Sequence, residues 1–216
     1  MDKNQDKLLK IGIIGTHEVG KTTLAHLLTG FLKAMDYKVN LVHEAARLSP
    51  FGLLNKTTMK TEMWIINQQI NNELLIAEFS DIIICDRTSI DTLAYAKYVV
   101  EKNPTNENLE AFKLLNNIID ANLKSYDLFI YVPINKKIIK RRNKRHDEKF
   151  KKNIDKYLIK IIKDKKITNI HELSSKSMMG RIEEIIHVCS LDLASFKIVS
   201  SQKNNQNIRS INFYKN

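Results

Sequence analysis

The stretch KIGIIGTHEVGKTT, residues 10–23, decides the fold. An apolar run from Leu9 to Ile14 ends at Gly15, and after four intervening residues come Gly20, Lys21, Thr22 and Thr23. A nearly continuous apolar run bounded by glycine is the pattern of a parallel strand buried on both faces. From Thr22 to Met35, the residues Leu24, Leu27, Leu28, Phe31 and Leu32 recur at helical spacing. Between strand and helix, Gly15, Gly20, Lys21 and Thr22 fit GxxxxGK[ST], the spacing of a phosphate-binding loop. Glycines let the backbone turn its N–H groups inward around a phosphate, and the helix that follows adds the positive end of its dipole. Lys21 is then placed to reach the β- and γ-phosphates of ATP, and the Thr22 hydroxyl to bind Mg²⁺. A plain glycine turn would explain neither the lysine nor the hydroxyl. Thr16, His17, Glu18 and Val19 fill the variable positions. Glu18 is expected to face solvent, because an acid beside a triphosphate repels it.

The rest of the chain extends this pattern. Val39 to His43, Asp81 to Cys85, Leu128 to Val132 and Ile167 to His171 read as further strands. Between them lie helical stretches near 57–79, 90–101, 107–124 and 178–189, together with a basic helical segment after Pro133. In the first of these, Met59, Met63, Ile66, Ile70, Leu74 and Ala77 form the apolar stripe. Strands separated by whole helices need crossover connections, so the fold class is α/β, a parallel sheet covered by helices on both faces. With 216 residues, of which 43% are hydrophobic, the chain suits one domain over 1–199. The Asn-, Ser- and Gln-rich tail, 200–216, is expected to add little to the core.

Charge and cysteine content narrow the setting. The net charge is +11, from 35 basic and 24 acidic residues. Residues 136–166 hold 15 of the basic and 4 of the acidic ones, so the remainder is neutral. These lysines and arginines read either as a lid with a solvated face or as a patch for nucleic acid or acidic lipid headgroups. Only Phe150 and Tyr157 interrupt them at its centre, thin support for stacking on a single strand. No run reaches the roughly 18 apolar residues of a membrane span. Two distant cysteines, Cys85 and Cys189, build neither a disulfide framework nor a zinc site and read as small core residues. A cytoplasmic setting is expected.

A phosphate-binding loop does not specify a reaction. A GTP switch would need DxxG after the third strand and NKxD for guanine. Here Asp86 precedes Arg-Thr-Ser, and Asn135-Lys136-Lys137 is followed by Ile138, so both signatures fail. Small-molecule kinases instead place acids and arginines at strand ends. Glu44 and Arg47 follow the second strand, Asp86 and Arg87 close the third, and Arg141, Arg142 and Arg145 lie in the basic segment. In a parallel sheet these ends gather on the side of the loop.

On these residues the chain resembles the nucleoside and nucleotide kinase branch of P-loop proteins: thymidylate kinases, deoxynucleoside kinases and nicotinamide riboside kinase-like AAA-type ATP-binding domains. The resemblance covers roughly residues 8–190. It implies a three-layer P-loop NTPase fold, with a five-stranded sheet in the order 2-3-1-4-5 and a basic helical lid at about 135–166. It also implies ATP and Mg²⁺ as cofactors and a nucleoside, nucleotide or similar small molecule as phosphate acceptor. Glu44 matches the glutamate that acts as base toward the acceptor hydroxyl, Asp86 and Arg87 the family's acid-arginine pair, and Arg141, Arg142 and Arg145 its lid arginines, by order only. Asp86 is equally a metal partner with Thr22 or an alternative base. The DR[YH] of thymidylate kinases is Asp86-Arg87-Thr88 here. A second class stays open: an ATP-binding or ATP-hydrolysing regulator that contacts a partner through its basic helices.

Three weaker signals complete the reading. Thr88 to Asp91 has the form of a helix capping box. Trp64, Gln68 and Asn71 could face a base or nicotinamide ring. Ser174 and Ser175 follow the last strand, where related kinases touch adenine through backbone.

Overall fold

The computed structural model describes residues 8–134 and 148–191. Five strands appear where apolar runs are found: β1 (Leu9–Ile14), β2 (Val39–Val42), β3 (Ile82–Asp86), β4 (Leu128–Tyr131) and β5 (Ile170–Glu172). Six helices connect or follow them: α1 (Lys21–Ala34), α2 (Met59–Ala77), α3 (Ser89–Lys102), α4 (Asn106–Leu123), α5 (Glu148–Asp164) and α6 (Met178–Val188). All strand pairings are parallel, in the order β2-β3-β1-β4-β5, as expected. Ile13 of β1 sits opposite Asp86 of β3 and Ile130 of β4. The phosphate-binding loop and the acid-arginine pair therefore leave the sheet at the same level.

The two-residue period of the strands divides the core into two layers. Ile11, Ile13, Ile82, Ile84 and Ile130 point to one face and pack with Leu24, Leu28 and Leu32 of α1 and Ile182, Ile185 and Ile186 of α6. Ile14, Ile83, Cys85, Phe129 and Tyr131 point to the other, covered by α2, α3, α4 and α5. Cys85 is fully buried there, as a small core residue. No described helix is long and apolar enough to cross a membrane.

Two elements depart from the expected boundaries. Strand β5 begins three residues later than the periodicity suggests, because Ile167 belongs to the end of α5. Lys166 is left-handed at φ 51°, its N–H donates to Lys163 O, and the Ile167 N–H donates to Ile162 O. That is the bond pattern of a left-handed helix cap. Helix α2 is also rotated: Leu74 is exposed, whereas Glu62, Gln69 and Glu73 are buried with Ile65 and Ile66. The cause is a buried polar network. Lys10 Nζ pairs with Glu73 at 2.6 Å, donates to Ser125 Oγ at 2.7 Å and lies 4.0 Å from the centroid of the Tyr126 ring. Tyr126 Oη also donates to Glu73. A lysine inside β1 demands this carboxylate, and a buried pair that loses one partner costs about 3–5 kcal/mol.

Gly12 sits on the crowded face of β1. A Cβ there would lie 2.4 Å from Thr88 Cγ2 and 2.9 Å from Tyr126 Cε1, the first atom belonging to the cap of α3. Gly12→Ala is therefore expected to lower stability by about 1–3 kcal/mol, the usual cost of overpacking. Urea unfolding checks this, and an unchanged midpoint would contradict the packing at β1.

Candidate functional site

The loop between β1 and α1 is shaped by two glycines with positive φ, Gly15 at 146° and Gly20 at 96°. A side chain at Gly15 would also strike Val132 O, 2.7 Å from the Cβ position. Gly20 caps α1, and Lys21 is the helix's first residue. Lys21 is buried, its Nζ donating to Thr16 O at 2.7 Å. Burial, reinforced by the Arg87 guanidinium, lowers its ammonium to about 7. Glu18 lies exposed at the tip, at φ 60°.

The other variable residues of the loop anchor it. Thr16 Oγ1 donates to Lys151 O at 3.1 Å, and the buried His17 has Nδ1 3.2 Å from Tyr95 Oη. Phe150 stacks on the His17 ring at 5.4 Å. The loop is thus fastened to α3 and to the first turn of α5. Spacing alone does not reveal this, because the partners lie far along the chain.

Beside the loop, Arg87 stands at the turn from β3 into α3 with φ 78°, uncommon for a residue with a side chain. The surroundings hold it there. Its N–H donates to Ile13 O at 3.1 Å, and its carbonyl accepts from Gln69 Nε2 at 3.3 Å. Its guanidinium donates through Nε to Glu44 Oε1 and through Nη1 to Asp91 Oδ1 at 3.3 Å. Glu44, directly after β2, also accepts from Arg47 Nε at 2.8 Å, and Arg47 Nη2 reaches Thr22 Oγ1 at 3.0 Å. Burial works to raise the Glu44 carboxyl, but Arg87 and Arg47 outweigh it and hold it down at about 2.

Asp91 forms the expected capping box with Thr88, whose N–H it accepts at 3.0 Å. It does more than cap, since Oδ1 also accepts from Gly15 N–H at 3.4 Å, linking the loop's first glycine to Arg87. Asp86 is buried at the end of β3, and its Oδ1 has no hydrogen-bond partner.

Of these groups Lys21, Thr22, Glu44, Arg47, Arg87 and Asp91 line a cavity of about 540 Å³, whereas Asp86 is not among its lining residues. Leu53, Leu54, Glu62, Ile65, Gln69 and Tyr95 complete it. The α2 residues on its wall are therefore Glu62, Ile65 and Gln69, and not Trp64, Gln68 or Asn71, which the rotation of α2 turns elsewhere. The detectable signal was the set of polar residues Glu62, Gln69 and Glu73, spaced seven and four apart, so that they share one helix face. Burial raises the Glu62 carboxyl to about 8 against a hydrogen bond donated by Thr57.

At the far end, the N–H groups of Ser174 and Ser175 already donate to Glu184, at 2.9 and 3.0 Å, so these amides are occupied. Arg141, Arg142 and Arg145 lie outside the described residues. On α5, Phe150 is buried and Tyr157 donates to Glu101, so neither ring forms an open platform for a nucleic-acid base.

A family model described as an AAA domain matches residues 10–181. No curated protein sequence matches significantly. Among solved structures, deoxyadenosine kinase from M. mycoides with bound dCTP is 21% identical, with a TM-score of 0.63 over 84% of this chain and 99% of that one. The NadR protein in complex with NAD and AMP-PNP is 16% identical, with a TM-score of 0.63 over 86% of this chain and half (50%) of that one. Thymidylate kinase from Ehrlichia chaffeensis is 17% identical, with a TM-score of 0.57 over 86% of this chain and 100% of that one. The likeness is one of fold.

The depressed Lys21 ammonium has a consequence for folding. With a folded value near 7 against 10.5 for the free group, the unfolded chain holds the extra proton between these limits. Stability is therefore expected to rise with pH from about 7 to 10, by up to about 1.4 kcal/mol per unit. Lys21→Met should remove that slope in urea titrations across this range, and an equal slope in the variant would refute the assignment.

Proposed function

Since the chain belongs to the AAA-domain family and has the fold of P-loop nucleotide kinases, we propose that it is an ATP- and Mg²⁺-dependent kinase. It moves the γ-phosphoryl group to a hydroxyl of a nucleoside, nucleotide or similar small molecule, in the cytoplasm. The observation that carries this reading is the cavity that opens from Lys21 past Glu44 and Arg87 to a mixed wall of Leu53, Leu54, Ile65 and Tyr95 with Glu62 and Gln69. A protein that only hydrolyses ATP needs a place for water, whereas this space suits a second organic substrate.

The chemistry follows from the residues. Lys21 leaves its bond to Thr16 O for the phosphates, where an anion restores its charge. The Thr22 hydroxyl and the Asp86 carboxylate are hard oxygen donors, and the unsatisfied Asp86 Oδ1 suits a magnesium ion, directly or through water. Among the described residues no three His, Cys, Asp or Glu side chains gather as a metal cage, so phosphate oxygens would complete the coordination. Bound there, the ion would neutralise charge on the transferred group.

Glu44 is fully ionised near neutral pH and faces the cavity between two guanidiniums. It aligns the acceptor hydroxyl and takes its proton late, a role that suits a transition state with little demand on the nucleophile. Arg87 holds Glu44 in position and lends positive charge beside the reacting group. Arg141 and Arg145 of the basic segment complete the charge over the phosphates, and the loop amides of residues 15–23 cradle them.

ADP release in the presence of a panel of nucleosides, nucleotides and nicotinamide riboside tests the proposal. An acceptor-dependent rate is expected, falling about 10²–10⁴-fold in Glu44→Gln while ATP affinity is largely kept. Lys21→Ala should abolish ATP binding. ATP turnover that no hydroxyl compound accelerates would instead establish the hydrolytic, regulatory class.

A further inference from the structure

Two groups with roles in the proposed phosphoryl transfer, Glu44 and Thr22, are held by one side chain. Residues Ala45–Leu48 form a single 3₁₀ turn, in which the Arg47 N–H donates to the Glu44 carbonyl at 3.2 Å. Residues three apart in such a turn eclipse each other, so Arg47 and Glu44 project from the same side. The arginine fork is then shared between two partners. Its Nε donates to Glu44 Oε2 at 2.8 Å, and its Nη2 donates to Thr22 Oγ1 at 3.0 Å, on the first turn of α1.

The two guanidiniums on Glu44 differ in freedom. The Arg87 side chain is 15% exposed; it holds Asp91 as well as Glu44 Oε1, and its backbone is bonded to β1 and α2. The Arg47 side chain is 62% exposed, and among the described residues its hydrogen bonds go to Glu44 and Thr22. Thr22 Oγ1 is the hydroxyl oxygen suited to magnesium. An oxygen that kept a guanidinium while coordinating a divalent cation would bring like charges together. Arg47 is the partner with room to leave.

Resting on the kinase reading, we infer that Arg47 is a positioning residue that interlocks the metal oxygen and the base. In the nucleotide-free chain its one guanidinium occupies both the Thr22 hydroxyl and Glu44 Oε2. The fork is planar and rigid, so giving up one bond re-aims the other. When Thr22 turns to magnesium, Arg47 loses its anchor on α1 and swings off Glu44. Oε2 is then open to the acceptor hydroxyl, while Arg87 keeps Oε1 in place. Glu44 is thus presented to an acceptor after nucleotide and metal have arrived together. Without magnesium, Arg47 stays beside Thr22 and supplies positive charge where the phosphates come to rest, a built-in substitute for the ion.

The affinity of the full chain for AMP-PNP, without acceptor, is measured by calorimetry in magnesium and in EDTA. In Arg47→Gln the factor by which magnesium tightens binding should rise about fivefold or more, the usual scale of coupling between two bound groups. The rise should come from weaker binding in EDTA and equal or tighter binding in magnesium. A phosphate ligand that stayed in place would weaken binding equally in both buffers, and a solvent-facing bystander would change neither; either result overturns the interlock. Arg47→Lys keeps the charge but not the fork, so it should raise the factor as well. Wild-type behaviour in that variant would reduce the effect to diffuse charge and sink the proposal. A wild-type measurement guards against a misfolded variant: with AMP-PNP bound, the Arg47 Nε–H should exchange with water faster in magnesium than in EDTA, by nuclear magnetic resonance. Equal or slower exchange would contradict the release of Glu44. If the wild type binds AMP-PNP in neither buffer, the kinase reading falls and the interlock with it, whereas binding with an unchanged factor in Arg47→Gln fails the interlock alone.

Discussion

A guanidinium partly buried beside an ammonium must be surrounded by carboxylates, and most of this site is the solution to that constraint. Lys21 is buried and Arg87 is partly buried close to it, an arrangement that repels itself. Glu44 comes from the end of β2 and Asp91 from the first turn of α3, and each takes one side of Arg87. Arg87 needs an unusual backbone angle to stand between them. That angle is held by bonds from β1 and α2. Four elements are thereby set relative to one another at the level where the phosphate-binding loop leaves the sheet.

The same residues link stability to chemistry. The hydrogen bond from Gly15 to Asp91 couples the entry of the loop to the arginine. The ion pair of Lys10 with Glu73, deep in the core, positions Gln69, which holds the Arg87 carbonyl. Strain at Arg87 is therefore balanced by polar bonds from β1, α2 and α3. The loop itself rests on α3 and α5 through Thr16 and His17, so the start of the basic helix supports the loop as well as carrying charge.

Much of the fold was legible from residues alone. Runs such as Ile82–Cys85 read as strands because four consecutive apolar residues between helices fit a strand buried on both faces. The capping box at Thr88 and Asp91 was equally visible, since it depends on residues three apart. Glu44, Asp86 and Arg87 could be placed near the loop because parallel strands share a carboxyl end. What misled was α2, where the apolar stripe drawn through Leu74 and Ala77 ignored that charged residues can own the inner face when a buried lysine requires them.

The primary structure by itself determined the phosphate-binding loop, the order of strands and helices, and the identity of the groups with charge to contribute. These follow from local spacing, where each residue's neighbours are known in advance. Only the tertiary structure decided which groups meet: Asp91 with the Gly15 N–H, Arg47 with Thr22, and Thr16 with the Lys151 carbonyl. The physical reason is that hydrogen bonds and ion pairs act over a few ångströms, while the sequence separations are set by helices whose rotation is chosen by the whole core.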